Sequence, residues 1–155
     1  LKQYFHKVHA REESISLPTP NGNLSLHEVS YTLPEATKPT LDHINFSIGP
    51  SELPAVLGHS AAGKTTLARL LIGALKPTKG VVRLDNADVF SWKREDFGKH
   101  VGYVPQNVEL FPGTVKANIA RMGEAKDEDI ILAAQKANVH KMILKLPKGY
   151  ETELK

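Results

Sequence analysis

The stretch Gly58-His59-Ser60-Ala61-Ala62-Gly63-Lys64-Thr65 limits what this chain can fold into more than any other. It fits G-x-x-x-x-G-K-[ST], a loop that wraps phosphate between a strand and a helix. Each fixed position has a physical task. The glycines permit backbone angles that a side chain forbids. The loop can then turn successive N–H groups inward as an anion cradle. The following helix points the positive end of its dipole at the phosphates. Lys64 reaches the β- and γ-phosphates, and Thr65 offers a hydroxyl to Mg2+, which prefers oxygen ligands. The flanks agree. Residues 53–57 are an unbroken apolar run, as expected of a strand buried on both faces. Beyond the loop, Leu67, Leu70, Leu71 and Leu75 fall at helical spacing. Nucleotide binding by residues 58–66, ending at Thr66, is the first expectation.

Around this loop the pattern alternates strands with helices. Residues 24–33 place Leu24, Leu26, Val29, Tyr31 and Leu33 in an alternation with one slip. Residues 41–48 alternate at Ile44, Phe46 and Ile48. The two read as a partly exposed antiparallel pair. Residues 81–84 form a short strand ending in an Asp85-Asn86 turn, and residues 101–104 a second buried strand closed by Pro105. Ser91 is placed to cap a helix through about Lys99, and Thr114 one ending near Ala120. Asp127 is placed to cap a third, with Ile130, Ile131, Ala134 and Ala137 on one face. Residues 139–146 complete the set before Pro147. The fold class is α/β: a P-loop core of buried parallel strands and helices, an antiparallel β edge and the start of a helical subdomain. Residues 1–23 read as a linker, with Pro18, Pro20 and Asn21-Gly22 as turn signals, and 24–155 as the domain.

Composition excludes several functions. The 155 residues suffice for one buried core. A net charge of +3 with no dense Lys/Arg cluster argues against nucleic acid as a partner. Without cysteine there is no disulfide, thiolate metal site or cysteine nucleophile. No apolar run approaches the roughly 20 residues of a membrane-spanning helix. The histidines, at 6, 9, 27, 43, 59, 100 and 140, show no metal-ligand spacing and read as surface or turn residues. Asp127-Glu128-Asp129 complements a helix dipole, and Met142 reads as core.

A second motif narrows the loop's meaning. In Val101-Gly102-Tyr103-Val104-Pro105-Gln106-Asn107-Val108-Glu109-Leu110-Phe111, a glutamine follows an apolar strand and a proline. Together with the loop, this resembles the nucleotide-binding domain of ATP-binding cassette transporters over residues 24–155. The stretch is similar to that family's Q-loop. The resemblance implies that Gln106 contacts Mg2+ and the attacking water and couples the ATP site to a transmembrane domain. An amide suits both contacts, with a carbonyl for the metal and an N–H2 for an oxygen. Residues 41–48, 76–85 and 114–119 also look like family segments. Residues 80–85, 105–121 and 143–150 are similar to type I secretion exporters, closest to those exporting proteases and lipases from Gram-negative bacteria.

The resemblance implies ATP and Mg2+ as cofactors, with Thr65 and Gln106 toward the metal. It implies a transmembrane domain on the same polypeptide and a second nucleotide-binding domain paired head to tail. A membrane fusion protein and an outer-membrane channel follow as partners, at the cytoplasmic face of the bacterial inner membrane. Three departures stand out. Ala61 occupies the place of the usual middle glycine. Ser51-Glu52-Leu53-Pro54 replaces a Gly-Glu pair. Leu33 occupies the slot of the adenine-stacking aromatic, with Tyr31 the nearest aromatic. Residues 107–155 contain no LSGGQ signature loop and no apolar strand ending in Asp-Glu; in the family these, the catalytic glutamate and the switch histidine normally lie beyond the point where this chain stops. The expected function is therefore an ATPase motor for protein export, of which this chain holds the phosphate-loop half and no catalytic residue of its own. The alternatives are a nucleotide-binding module without hydrolysis, or an exporter of lipid, peptide or drug. This reading predicts no ATP turnover by the 155 residues alone. Phosphate release that Lys64→Ala removes would refute it.

Overall fold

Strands form where alternation predicts them, and the slip in the first has a structural cause. A computed structural model describes residues 16–155. Strand β1 (Leu24–Tyr31) pairs antiparallel with β2 (Leu41–Ile48) on one side and β3 (Lys79–Leu84) on the other. A hairpin adds β4 (Ala87–Asp88), giving the order β2-β1-β3-β4. Its turn residues Asp85 and Asn86 both take positive φ, as a two-residue hairpin that follows the strand twist requires. Leu26 faces Phe46 but Val29 faces Ile44, so β1 spends one more residue than β2 over this step. That is a β-bulge. Glu28 sits in it at φ 49°, its N–H donating to Asn45 Oδ1 at 2.9 Å. Across β3, Gly80 makes room: a Cβ there would lie 2.3 Å from the carbonyl oxygens of both His27 and Glu28. Only glycine fits.

One core unites sheet and helices. Leu26, Val29, Leu41, Val82 and Leu84 come from the sheet, and Leu67 and Leu70 from α1 (Lys64–Leu71). Val89, Trp92 and Phe97 close it, Phe97 lying on α2 (Arg94–His100). The Trp92 and Phe97 ring centroids are 5.4 Å apart. Helix α2 starts later than expected. Lys93, not Ser91, stands at its N-cap, because the Ser91 side chain turns back to Asp88.

The linker expectation falls for residues 1–15 outside the described residues. Residues 16–23 lie along the domain. Ser16 Oγ donates to Asp96 at 2.5 Å, and Leu17 packs against the core. The Asp85 carboxylate accepts the backbone N–H groups of Asn21, Gly22 and Asn23 and the Asn23 side-chain amide. Desolvation opposes its ionised form, but these hydrogen bonds outweigh it and hold the carboxyl below its ordinary range.

Two expected strands differ from the structure. Residues 53–57 and 101–104 form no strand, and they are not buried runs: Leu53, Leu57 and Val104 are 97%, 91% and 83% exposed. A strand buried on both faces needs a ladder partner on each side. The described strands pair elsewhere, in the antiparallel sheet and in one short second ladder.

Residues 104–155 form a second compact unit. It contains β5 (Gly113–Thr114), α3 (Val115–Ile119), α4 (Asp127–Lys136), α5 (His140–Ile143), a 3-10 turn at Gly149–Glu151 and β6 (Glu153–Leu154). Strands β5 and β6 pair antiparallel. Thr114 caps α3 as expected, its hydroxyl accepting from the Ala117 N–H at 3.0 Å. Asp127 is the first residue of α4 and Lys126 its N-cap. Of the predicted apolar face only Ile130 and Ala134 are buried, joined by Ile143. Ile131 and Ala137 are exposed, and so is Met142, expected in the core. Helix α5 is shorter than the predicted 139–146 and turns out of helix before Pro147. Among the described residues no helix is long and apolar enough to cross a membrane.

The Asp85 clasp gives a pH prediction. A lowered native pKa stabilises the fold fully above the ordinary carboxylate value of about 3.9, and loses that stabilisation as pH falls through the native value. Asp85→Ala should therefore cost about 1 kcal/mol near neutral pH, discounted for solvent screening. It should also flatten the acid limb of a melting-temperature profile. An unchanged profile contradicts the clasp.

Candidate phosphate-binding site

Helix α1 begins at Lys64, and the loop before it is held by two left-handed residues. Ala61 has φ 64° and Gly63 φ 88°. Gly63 is buried, and a Cβ on it would lie 2.9 Å from Leu41 Cδ2 and 3.2 Å from the Thr40 carbonyl. Glycine at that position is therefore required by both angle and space. Ala61 takes a left-handed angle without glycine's freedom, at a cost of roughly 1–2 kcal/mol. Alternating left-handed residues in a turn aim successive N–H groups to one side, which is the geometry of an anion nest.

The charge arrangement agrees. Lys64 Nζ donates to the carbonyls of Gly58 at 2.7 Å and His59 at 2.8 Å. The ammonium thus spans the loop, and its third donor remains for a ligand. The first turn of α1 carries no acidic residue, and no side chain caps it. Its leading N–H groups and positive dipole end suit an anion. The Thr65 side chain is exposed at this end, and Thr66 is half-buried. His59 and Ser60 are exposed, with His59 Nδ1 3.4 Å from the Ser60 carbonyl. The donor set fits a polyphosphate: one fixed cation, several N–H groups and an exposed hydroxyl.

The other predicted residues divide. The Thr40 N–H donates to the Tyr31 carbonyl at 2.8 Å, so the segment between them closes beside Gly63. Tyr31 packs its side chain against the core, and Leu33 is half-exposed in that segment. Gln106 lies in the second unit, exposed in a bend. There the sequence reading missed Asn118. Its amide donates to the Phe111 carbonyl at 2.9 Å and the Thr114 carbonyl at 3.0 Å, and its oxygen accepts the Phe111 N–H at 2.8 Å. This bracket fixes the end of the Gln106 segment. An asparagine inside a helix that prefers better formers was its only signal.

The sequence matches the ABC transporter family over residues 41–153. The chain belongs to that family. It carries ABC transporter ATP-binding sequence, and the family uses ATP. It is 39% identical to "Type I secretion system ATP-binding protein PrsD" of Rhizobium meliloti, covering 99% of this chain and 27% of that protein. It is 40% identical to an "ATP-dependent lipid A-core flippase" of Chromobacterium violaceum, covering 88% of this chain and 24% of that protein. Among solved structures, it superposes on a bacterial Atm1-family ABC exporter with ATP bound at a TM-score of 0.77 and 26% identity, covering 98% of this chain and 28% of that one. The ABC chain thus spans about a quarter of the length of these relatives. The mixed strand and helix fold with an antiparallel sheet agrees with the expected class.

Strain at Ala61 is testable. Ala61→Gly should raise stability by about 0.5–1 kcal/mol, the relieved angle outweighing the added unfolded-state freedom. Thermal denaturation measures it. A destabilised variant contradicts the left-handed assignment.

Proposed function

We propose that residues 58–66 bind the triphosphate of ATP and that the parent polypeptide uses its hydrolysis to export a protein across the bacterial inner membrane. The observation that carries the binding step is the Lys64 ammonium held by the Gly58 and His59 carbonyls at the uncapped N-terminus of α1. The N–H groups of the loop cradle phosphate oxygens, and Lys64 turns its remaining donor to them. Thr65 would offer its hydroxyl to Mg2+, and by the family resemblance Gln106 would offer its carbonyl to the metal and its amide to water. The metal would neutralise phosphate charge. Leu33 gives the base an apolar contact, with Tyr31 committed to the core.

Residues 24–155 are on this reading the first portion of the nucleotide-binding domain, and residues 1–23 its connection to a transmembrane domain. A second nucleotide-binding domain, paired head to tail, completes the site. Further partners are a membrane fusion protein and an outer-membrane channel, with the ATP site at the cytoplasmic face. The type I secretion cargo class is supported by similarity to a secretion protein over nearly the whole chain. A lipid cargo is the second reading, favoured by the equally similar flippase over 138 residues. Deleting the parent gene separates them: the first expects a protein lost from the culture medium, the second a lipid retained in the inner membrane.

Lys64→Ala should abolish binding of a fluorescent ATP analogue, because the loop loses its only fixed cation. Unchanged affinity contradicts the assignment.

A further inference from the structure

The far end of α1 is fastened as deliberately as its loop. Gly73 takes φ 60°, its N–H donating to the Leu70 carbonyl at 2.9 Å, while the Ala74 N–H donates to the Arg69 carbonyl at 2.8 Å. That is the Schellman closure of a helix C-terminus. It does not engage the carbonyls of Ile72 and Gly73. Arg94 takes both. Its Nη1 donates to the Ile72 carbonyl at 2.8 Å and its Nη2 to the Gly73 carbonyl. Gly73 is buried so closely that a Cβ would lie 2.7 Å from the Val89 carbonyl, so the segment leading into α2 abuts the same turn.

This arrangement has consequences at the other end. A guanidinium is a planar fork, and two carbonyls on one fork fix direction as well as distance. Its charge stands at the negative end of the helix dipole. Leu67 and Leu70 hold α1 against the core, but apolar contacts resist sliding along the axis less than directed hydrogen bonds do. An eight-residue helix is only about 12 Å long. A shift at Ile72 therefore reaches Gly63 and Lys64 almost undiminished, where hydrogen-bond geometry tolerates a few tenths of an ångström.

We infer that Arg94 is a positioning residue for the phosphate loop: its grip on the Ile72 and Gly73 carbonyls sets α1 along its axis, and with it the N–H groups and Lys64 that meet the nucleotide. The inference rests on the proposed ATP site. Arg94 grips the end of α1 opposite the loop, so its effect on binding passes through the helix.

The test is equilibrium titration of the 155-residue chain with Mg-ATP, comparing wild type with Arg94→Ala, Arg94→Lys, Lys64→Ala and Asp85→Ala. Arg94→Ala should weaken binding roughly tenfold, the scale of losing a charged hydrogen-bonded pair partly screened by solvent. Arg94→Lys should recover part of this, since an ammonium keeps the charge but not the fork. Asp85→Ala is the control, lowering the melting temperature while leaving affinity within about twofold, because it acts at a turn away from α1. Wild-type affinity in Arg94→Ala, with binding abolished in Lys64→Ala, overturns the inference and leaves the ATP site standing. A loss in Arg94→Ala that Asp85→Ala matches overturns it too, as a general stability effect. If Arg94→Ala does not fold, Arg94→Lys decides: weaker binding at an unchanged melting temperature supports the inference, and wild-type affinity overturns it. Unchanged binding in Lys64→Ala overturns the ATP site, and this inference with it.

Discussion

Everything the phosphate loop can do depends on where α1 is held, and α1 is held first by burial. Leu70 is wholly buried and Leu67 nearly so, in one cluster with Leu26, Val29, Leu41 and Val82 of the sheet. Each buried leucine contributes about 1.5–3 kcal/mol, enough to fix so short a helix that could not persist alone. The loop end is then pinned at Gly63 against Leu41 and Thr40 at the start of β2. The sheet that receives α1 is itself shaped by the bulge at Glu28, which only Gly80 can accommodate. Cradle, helix and sheet thus form one dependent series.

Helix α2 ties the rest to this series. Asp96 on α2 receives the Ser16 hydroxyl, and Arg94 at its start grips the turn after α1. Asp85 gathers three consecutive N–H groups of the preceding segment onto the β3–β4 turn. Residues 16–23 are therefore bound to α2 and to the β3–β4 turn.

Much of this was legible in the sequence, and what was not has a common physical cause. The loop, the α1 stripe, strands β1 and β2, the Asp85-Asn86 turn and the Thr114 cap each rest on local patterns, and local patterns survive without tertiary context. The alternation slip between Leu26 and Val29 was even visible as a slip, although its bulge was not named. Residues 53–57 and 101–104 read as strands from apolarity alone, but a strand also needs neighbours, and the described strands pair with each other. Ser91 looked like a cap because capping is judged from identity, whereas its hydroxyl was taken by Asp88. Arg94, Asp85 and Asn118 act on carbonyls or N–H groups placed by the fold, across distances that carry no period. Met142 reads as core on hydrophobicity, but the adjacent Ile143 takes the buried face of α5 and leaves Met142 exposed.

The central claim is that the loop from Gly58 to Thr66, backed by α1, forms a polyphosphate cradle. Amide chemical shifts in a Mg-ATP titration report on it most directly, because each cradle N–H is observed separately. The account predicts the largest, saturable shifts at the amides of residues 61–66, with the Lys64 side chain moving in parallel and the Asp85 turn unaffected. Shifts absent from residues 61–66, or spread evenly over the chain, would contradict it.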